Sequence, residues 1–308
     1  MIENAKSKDE IFSELIEIND WKHPFDFIKD NLEKFERSEL SDWNKWRASV
    51  SLNAIESVMD LDKYSLADFA CNDGFFSFQI ADKVTKGFGF EARDEALRRA
   101  NLIKDYYGYK NFNFKKVDLR NFDMEKELGA EVFDLSLCYG VLYHVTDPFQ
   151  LLKNIKKVTK HALSISTFLN TYEEPVLTLY KEDISMPGSG LEIISTRPSY
   201  QAVIRMLYGV GFDLVLRYVP YKLSICHHQH WGQFFGVNLR GKLEEEYCTK
   251  HNVRSEYNHS LKEDQLILCN DVYEDYLGKA YKKTDYLKPS FRYLLGRALN
   301  KMKRIMRL

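Results

Sequence analysis

Long apolar runs are missing from this chain: none reaches the ~20 residues that a membrane-spanning helix needs. Cysteine is sparse and scattered. Cys71, Cys138, Cys226, Cys248 and Cys269 form no close pair and no metal-ligand spacing, so neither a disulfide framework nor a bound metal is expected. Their odd number, with no signal-peptide pattern at the start, predicts a reducing cytoplasm. Charge of one sign is missing too: 44 Lys and Arg stand against 45 Asp and Glu, for a formal net charge of −1. That excludes a global attraction to nucleic acid or membrane and leaves any such role to local patches. There is no internal repeat and no low-complexity tract. What remains is 308 residues with 44% hydrophobic content, enough for one large α/β domain plus additions, or for two small domains.

The informative stretch is Leu66-Ala-Asp-Phe-Ala-Cys-Asn-Asp-Gly-Phe-Phe-Ser77. A short apolar run ends at Asp68, small residues follow at Ala70 and Gly74, and a helix-like pattern begins, predicted over Phe75–Val84. This is how a nucleotide-type ligand is received at the end of a buried strand, where backbone must approach it closely. No Walker lysine follows the loop, which argues against a P-loop NTPase. The next run, Gly87-Phe-Gly-Phe-Glu91, ends in a carboxylate 17 residues past Gly74, near the spacing of about 20 at which doubly wound folds present an acid to ribose hydroxyls. A helix from Asp94 to about Tyr106 leads to Phe112–Val117, followed at once by Asp118-Leu119. A fourth run, Val132–Cys138, leads into Tyr139-Gly-Val-Leu-Tyr-His144. One strand-terminal acid is ordinary as a helix or turn cap. Three in succession are not demanded by packing.

On these residues the chain resembles the class I S-adenosylmethionine (SAM)-dependent methyltransferases, over roughly residues 60 to 240. Asp68 to Gly74 is similar to the first motif, Glu91 to the ribose acid, Asp118 to the adenine-side acid, and Cys138 to Pro148 to the fourth motif. Asp-Phe-Ala-Cys-Asn-Asp-Gly-Phe-Phe-Ser and Tyr-Gly-Val-Leu-Tyr-His-Val-Thr-Asp-Pro resemble the branch that includes the tRNA wobble-uridine carboxymethyltransferases; similar sequences accompany glycosyltransferases of surface-polysaccharide pathways. The resemblance implies a Rossmann-like seven-stranded sheet, mostly parallel with an antiparallel last strand, and SAM as cofactor. It implies cofactor contacts from Asp68, Ala70, Asn72, Gly74, Glu91, Asp118, Leu119 and Tyr139, with Gly74 admitting the methionine part. Ala70 and Asn72 stand where the family has glycines. Ala suffices where only closeness is needed, and Asn tolerates a left-handed backbone better than most residues.

Around this domain, assigned to residues 65–242, the sequence predicts helical extensions at 1–64 and 243–308. In the first, Trp43 and Trp46 are three apart and share a helix face, either docked on the core or at the cofactor mouth. Asp147-Pro148 starts a helix. His161–Thr167, Phe212–Val219 and Trp231–Arg240 read as strands five to seven. The residues from 168 to 196 read as an irregular insertion, too long for an idle loop, and are expected to form a substrate lid carrying Tyr172, Glu173 and Tyr180, with Arg197 at its end. His227, His228 and His230 lie on the connection between strands six and seven. With His144 they are candidate general bases, since the ordinary histidine pKa of about 6.5 suits proton removal from a hydroxyl; His144 also reads as a residue that shapes the pocket.

After Lys242 the pattern dissolves into a polar tract, Glu244 to about Lys262, with a short element at Gln265–Cys269. From Lys282 to Leu308 there are nine Lys or Arg and one Asp. Residues 291–308 read as a basic amphipathic helix, suited to an anionic membrane surface, to RNA phosphates or to its own protein. Three functions follow as expectations. The first is O-methylation of a glycan, surface-polysaccharide precursor or other small acceptor, on the cytoplasmic face of the membrane. The second is a tRNA wobble-uridine modifier, which the net charge of −1 disfavours. The third is a non-catalytic scaffold subunit, disfavoured by the three retained acids.

Overall fold

The computed structural model describes residues 6–269 except 30, 36–37, 61, 130, 187–188, 221–229, 257, 259–260 and 262. The strands, in chain order, are β1 (Tyr64–Phe69), β2 (Val84–Glu91), β3 (Phe112–Lys116), β4 (Phe133–Tyr139), β5 (Thr159–Phe168), β6 (Leu177–Lys181), β7 (Ile194–Pro198), β8 (Leu214–Val219), β9 (Trp231–Val237) and β10 (Gln265–Leu268). Eight of them form one sheet in the order β10-β8-β9-β5-β4-β1-β2-β3. The pairs from β5 through β4, β1 and β2 to β3 are parallel, and β9 runs antiparallel to both β5 and β8. The mostly parallel sheet with an antiparallel seventh strand is therefore present.

One strand more than expected completes it. β10 pairs antiparallel with β8, Gln265 opposite Val219. A four-residue strand shows too little alternation to be separated from a loop by pattern alone. The tract before it is also ordered: α8 (Glu244–Lys250) buries Tyr247, whose hydroxyl donates to the Val58 carbonyl at 3.0 Å. The described residues after Lys242 thus include elements packed on the domain, up to β10. The basic residues 291–308 and the histidines His227 and His228 lie outside the described residues.

The helices are α1 (Lys8–Glu17), α2 (Ser38–Val58), α3 (Phe75–Phe78), α4 (Asp94–Tyr107), α5 (Met124–Leu128), α6 (Pro148–Val158), α7 (Tyr200–Gly209) and α8. α1 begins in a capping box between Ser7 and Glu10 and lies on α4, with Arg98 reaching Glu14 at 2.6 Å. Helix α3 is much shorter than the expected Phe75–Val84. After Phe78 the chain makes two reverse turns, closed by Lys83 N to Ile80 O and Val84 N to Ala81 O, which deliver Val84 opposite Tyr64 at the start of β2. Alternate strand residues face opposite layers. Leu66, Leu135 and Phe235 meet Ile55 and Val58 of α2 on one side. Ala67, Leu163 and Phe234 meet Leu152 and Ile155 of α6 and Leu207 of α7 on the other. Both faces are covered, so only the strand ends remain open for a ligand.

Candidate active site

The carboxyl ends of β1, β2 and β3 lie side by side, and each brings an acid to the same cavity of about 490 Å³. That volume falls within the ~300–1,000 Å³ of small-molecule sites. Asp68 is buried and accepts a 2.5 Å hydrogen bond from the Ser77 hydroxyl. Burial pushes its carboxyl up to about 7 against the lowering effect of Ser77, and the charges of Glu91 and Asp73 add to the rise. Glu91 is buried as well and accepts three backbone amides, from Asn72 at 3.1 Å, Ala92 at 2.9 Å and Arg93 at 3.0 Å. Asp118 caps the turn after β3 through the Arg120 amide and forks against the Arg120 guanidinium, which holds its carboxyl below the usual range.

Between β1 and α3 the chain turns tightly. Ala70, Asn72 and Gly74 all have positive φ, at 62°, 52° and 78°, so the two non-glycine residues occupy the left-handed region that costs L-residues roughly 1–2 kcal/mol. Cys71 N donates to Phe90 O at 3.0 Å, and with the Asn72–Glu91 bond this pins the loop to the end of β2. Ala70 and Asn72 line the cavity. Gly74 does not: a Cβ there would lie 2.7 Å from the Phe78 ring and 3.1 Å from Phe114, so its role is close packing behind the loop rather than admission of a ligand. Leu119 and Tyr139 are on the wall. The Tyr139 hydroxyl, deeply buried at the end of β4, bonds Ser164 Oγ at 2.7 Å and receives Gln233 Nε2 at 3.3 Å.

Two histidine–carboxylate pairs also reach the cavity. His144, just past β4, bonds Glu182 Oε1 through Nδ1 at 2.6 Å; burial lowers its pKa although Glu182 opposes the shift. His23, from the segment before α2, bonds Asp73 Oδ1 through Nδ1 at 2.6 Å and stacks parallel on Phe75 at 4.9 Å. Both histidines line the cavity, as do Trp43 and Arg47 of α2.

Residues 60–185 match the family model described as Methyltransferase domain. Among curated proteins, the tRNA U34 carboxymethyltransferase of Wolinella succinogenes is 26% identical over 175 residues, 56% of this chain and 60% of that protein. The tRNA U34 carboxymethyltransferase of Campylobacter fetus subsp. fetus is 27% identical over 117 residues, 37% of this chain and 39% of that protein. The chain therefore spans less than two thirds of the length of these relatives. Among solved structures, the N-terminal domain of EvdMO1 with SAH bound superimposes with a TM-score of 0.60 at 20% identity, covering 77% of this chain and 100% of that one. The family match, this fold and the three strand-end acids agree. Residues 60–185 of this chain resemble a methyltransferase domain.

The insertion between β5 and α7 is not irregular. β6 and β7 form an antiparallel two-stranded arm, and Ser189, Gly190 and Leu191 between them reach the cavity at the strand ends. Tyr172 and Tyr180 are exposed on it, and neither they nor Glu173 and Arg197 belong to the cavity wall; Ser189, Gly190 and Leu191 do. Arg93 donates to Ser189 O, and Arg120 to Leu191 O at 3.2 Å. The residue two places after each of the acids Glu91 and Asp118 thus fastens the arm. Glu182, just past the far end of β6, holds His144, Ser195 Oγ at 3.0 Å and the Gly190 amide. His230 opens β9 with its carbonyl accepting from Leu169 N at 2.7 Å and is not on the cavity wall.

Sequence reading left Glu182, His23, Asp73 and Arg47 unassigned. Glu182 lies 38 residues from His144 and His23 lies 50 from Asp73, so no spacing rule joins them. The available signal was polarity: Asp73 stands next to the motif glycine, and Arg47 follows the tryptophan pair. Trp43 is buried in the core. It stacks on Trp46 at 5.1 Å and lines the cavity.

Proposed function

We propose that the chain transfers a methyl group to a hydroxyl of a glycan or surface-polysaccharide precursor, with His144 as general base and Glu182 as the residue that orients it. The carrying observation is the 2.6 Å contact of His144 Nδ1 with Glu182 Oε1 at the cavity that Asp68, Glu91 and Asp118 share. The residues fit a SAM molecule. Glu91 keeps carboxylate lone-pair capacity for the ribose, Asp118 and Leu119 would address the adenine, and Asp68 is an acid whose pKa is raised first of all by its burial. SAM, when bound, supplies a methyl group already activated on a sulfonium. The protein's task is then alignment and proton removal. With Nδ1–H committed to Glu182, the neutral imidazole keeps its Nε2 lone pair for the acceptor hydroxyl, and Glu182 stabilises the imidazolium that results. The solved EvdMO1 domain, which shares the fold, was crystallised in the presence of SAH and D-fucose, and this supports a sugar as acceptor class.

The expected outcome for His144→Gln is a loss of about 10²–10⁴ in turnover with unchanged S-adenosylhomocysteine affinity; Glu182→Gln should fall between it and wild type. Activity should rise with pH through a value below the ordinary 6.5 of histidine, because burial lowers the His144 pKa. Full turnover by His144→Gln would remove the base assignment. A tRNA acceptor is the second reading, favoured by the curated relatives at 26–27% identity. Salt-sensitive binding of tRNA, with transfer to a uridine, would put it first.

A further inference from the structure

Arg47 is a cation on the cavity wall to which the proposed reaction assigns no task. Its Nη1 donates to Asn44 Oδ1 at 3.2 Å and its Nη2 to Ser166 Oγ at 3.1 Å, both neutral oxygens, and its Nε has no partner. Among the described residues no carboxylate pairs with it. The guanidinium lies 4.8 Å from the Phe76 ring centroid and 5.9 Å from that of Trp43, so aromatic faces and burial, which lowers its pKa, surround a charge with no counter-ion. A guanidinium kept dry without an acid is costly unless a ligand anion completes it. Its position says which ligand. Arg47 Nη2 stands 3.9 Å from where a Cβ on Gly140 would be, and the Tyr143 hydroxyl is 3.8 Å from the same point. This is the β4 side of the cavity, next to His144 and away from Glu91 and Asp118. Arg197, also with an unpartnered Nε, lies 5.9 Å from the Phe168 ring, which meets Tyr143 edge-on at 5.0 Å. Arg47 and Arg197 both act on the Tyr143 phenol, opposing the upward push of its burial.

We infer that the acceptor is itself an anion, a sugar bearing a carboxylate or phosphate group, and that Arg47 receives this group with Arg197 adding positive potential behind Phe168 while the hydroxyl to be methylated faces His144. The inference rests on the methyl-transfer reading and narrows its acceptor. Two donor hydrogens, one on each Nη, remain on Arg47 after its bonds to Asn44 and Ser166, and a guanidinium is suited to planar or tetrahedral oxyanions. The aromatic wall supplies the flat faces on which a sugar ring stacks.

The test uses the full chain loaded with S-adenosylhomocysteine and titrated with D-glucuronate, D-glucose 6-phosphate and neutral D-glucose. The same sugars are then offered with SAM, and methylated product is read by mass spectrometry. The expected result is binding of one or both anionic sugars at least about tenfold tighter than glucose, a gap of about 1.4 kcal/mol. Arg47→Gln should abolish that gap, Arg47→Lys should restore part of it, and S-adenosylhomocysteine affinity should stay within about threefold in both. The carboxylate and phosphate arms tell the two anions apart. Equal binding of charged and neutral sugars, or no sugar binding at all, overturns the inference. So does a parallel loss of S-adenosylhomocysteine affinity in Arg47→Gln, which would give Arg47 to the methionine carboxylate of the donor. Failure of the wild-type protein to bind S-adenosylhomocysteine is a different result, because it removes the methyl-transfer reading itself.

Discussion

Asp68 is where function and stability oppose each other most directly. Its carboxyl titrates at about 7 in the folded chain against an ordinary 3.8, so between those values the folded state holds a proton that the unfolded state has lost. Stability of the ligand-free protein is therefore expected to fall as pH rises from about 4 to about 7, and this contribution levels off above that. A cationic ligand beside Asp68 favours the ionised form, so the affinity for SAM should increase with pH over the same interval, by at most about tenfold per unit. Asp68→Asn should flatten both curves, stabilising the empty protein at neutral pH while weakening the ligand; thermal melts and calorimetry across pH 5.5–7 (about the useful range) read both. Ala70 carries a second local conflict. At φ 62° it sits where only glycine is unstrained, and Ala70→Gly should stabilise the fold by about 0.5–1 kcal/mol, relief of strain exceeding the added chain entropy. Destabilisation on denaturant unfolding would show that the alanine methyl packs usefully.

The arm of β6 and β7 is held by few, identifiable bonds. Ser199 is the N-cap of α7, accepting from Ala202 N at 3.1 Å, and the same hydroxyl accepts from Val176 N at 3.1 Å and donates to Glu174 O at 2.5 Å. One side chain thus starts a helix and seats the foot of the arm. Ser199→Ala should cost about 1–2 kcal/mol, with hydrogen exchange rising in the arm before the sheet. Gly190 acts at the other end. A Cβ there would lie 2.6 Å from the His144 carbonyl and 3.0 Å from Glu182 Oε2, so Gly190→Ala should push the arm off His144. Turnover should drop by about tenfold or more, as misplacement of a catalytic group predicts, with little change in melting temperature. A large loss of stability with intact turnover would mean that the contact is structural.

For the whole molecule, the cavity joins parts far apart in the chain. His23 and Arg47 come from the region before β1, the acids from β1 to β3, and Ser189 to Leu191 from the arm. A ligand filling it should tie these parts together. S-adenosylhomocysteine at about 100 times its Kd should add about 2.7 kcal/mol to unfolding, and exchange protection should extend to residues 20–24 and 189–191 as well as the motif loop. Protection confined to the loop would mean that the N-terminal segment and arm do not close on the donor. The charge balance belongs to this scale as well. With a net charge of −1 the protein has no overall field to draw a polyanion, and recognition falls to single residues such as Arg47.

The sequence by itself determined the sheet and the three acids that share the cavity. Buried parallel strands are short apolar runs, and the acids at their ends follow in chain order, so Asp68, Glu91 and Asp118 were legible as a set. The left-handed backbone was legible in Asn72, and Gly74 was read only as a close approach to the ligand. Ala70, which hides its strain behind an ordinary residue type, was read only as a close approach. The structure alone decided the β4 side of the cavity. The partnership of His144 with Glu182, the seating of His23 on Asp73 and the bare charge of Arg47 are contacts between distant segments, set by how helices and arm fold over the strand ends. Local periodicity carries no information about such pairs. The four residues of β10 were decided the same way, since a strand that short exists because β8 offers it an unpaired edge.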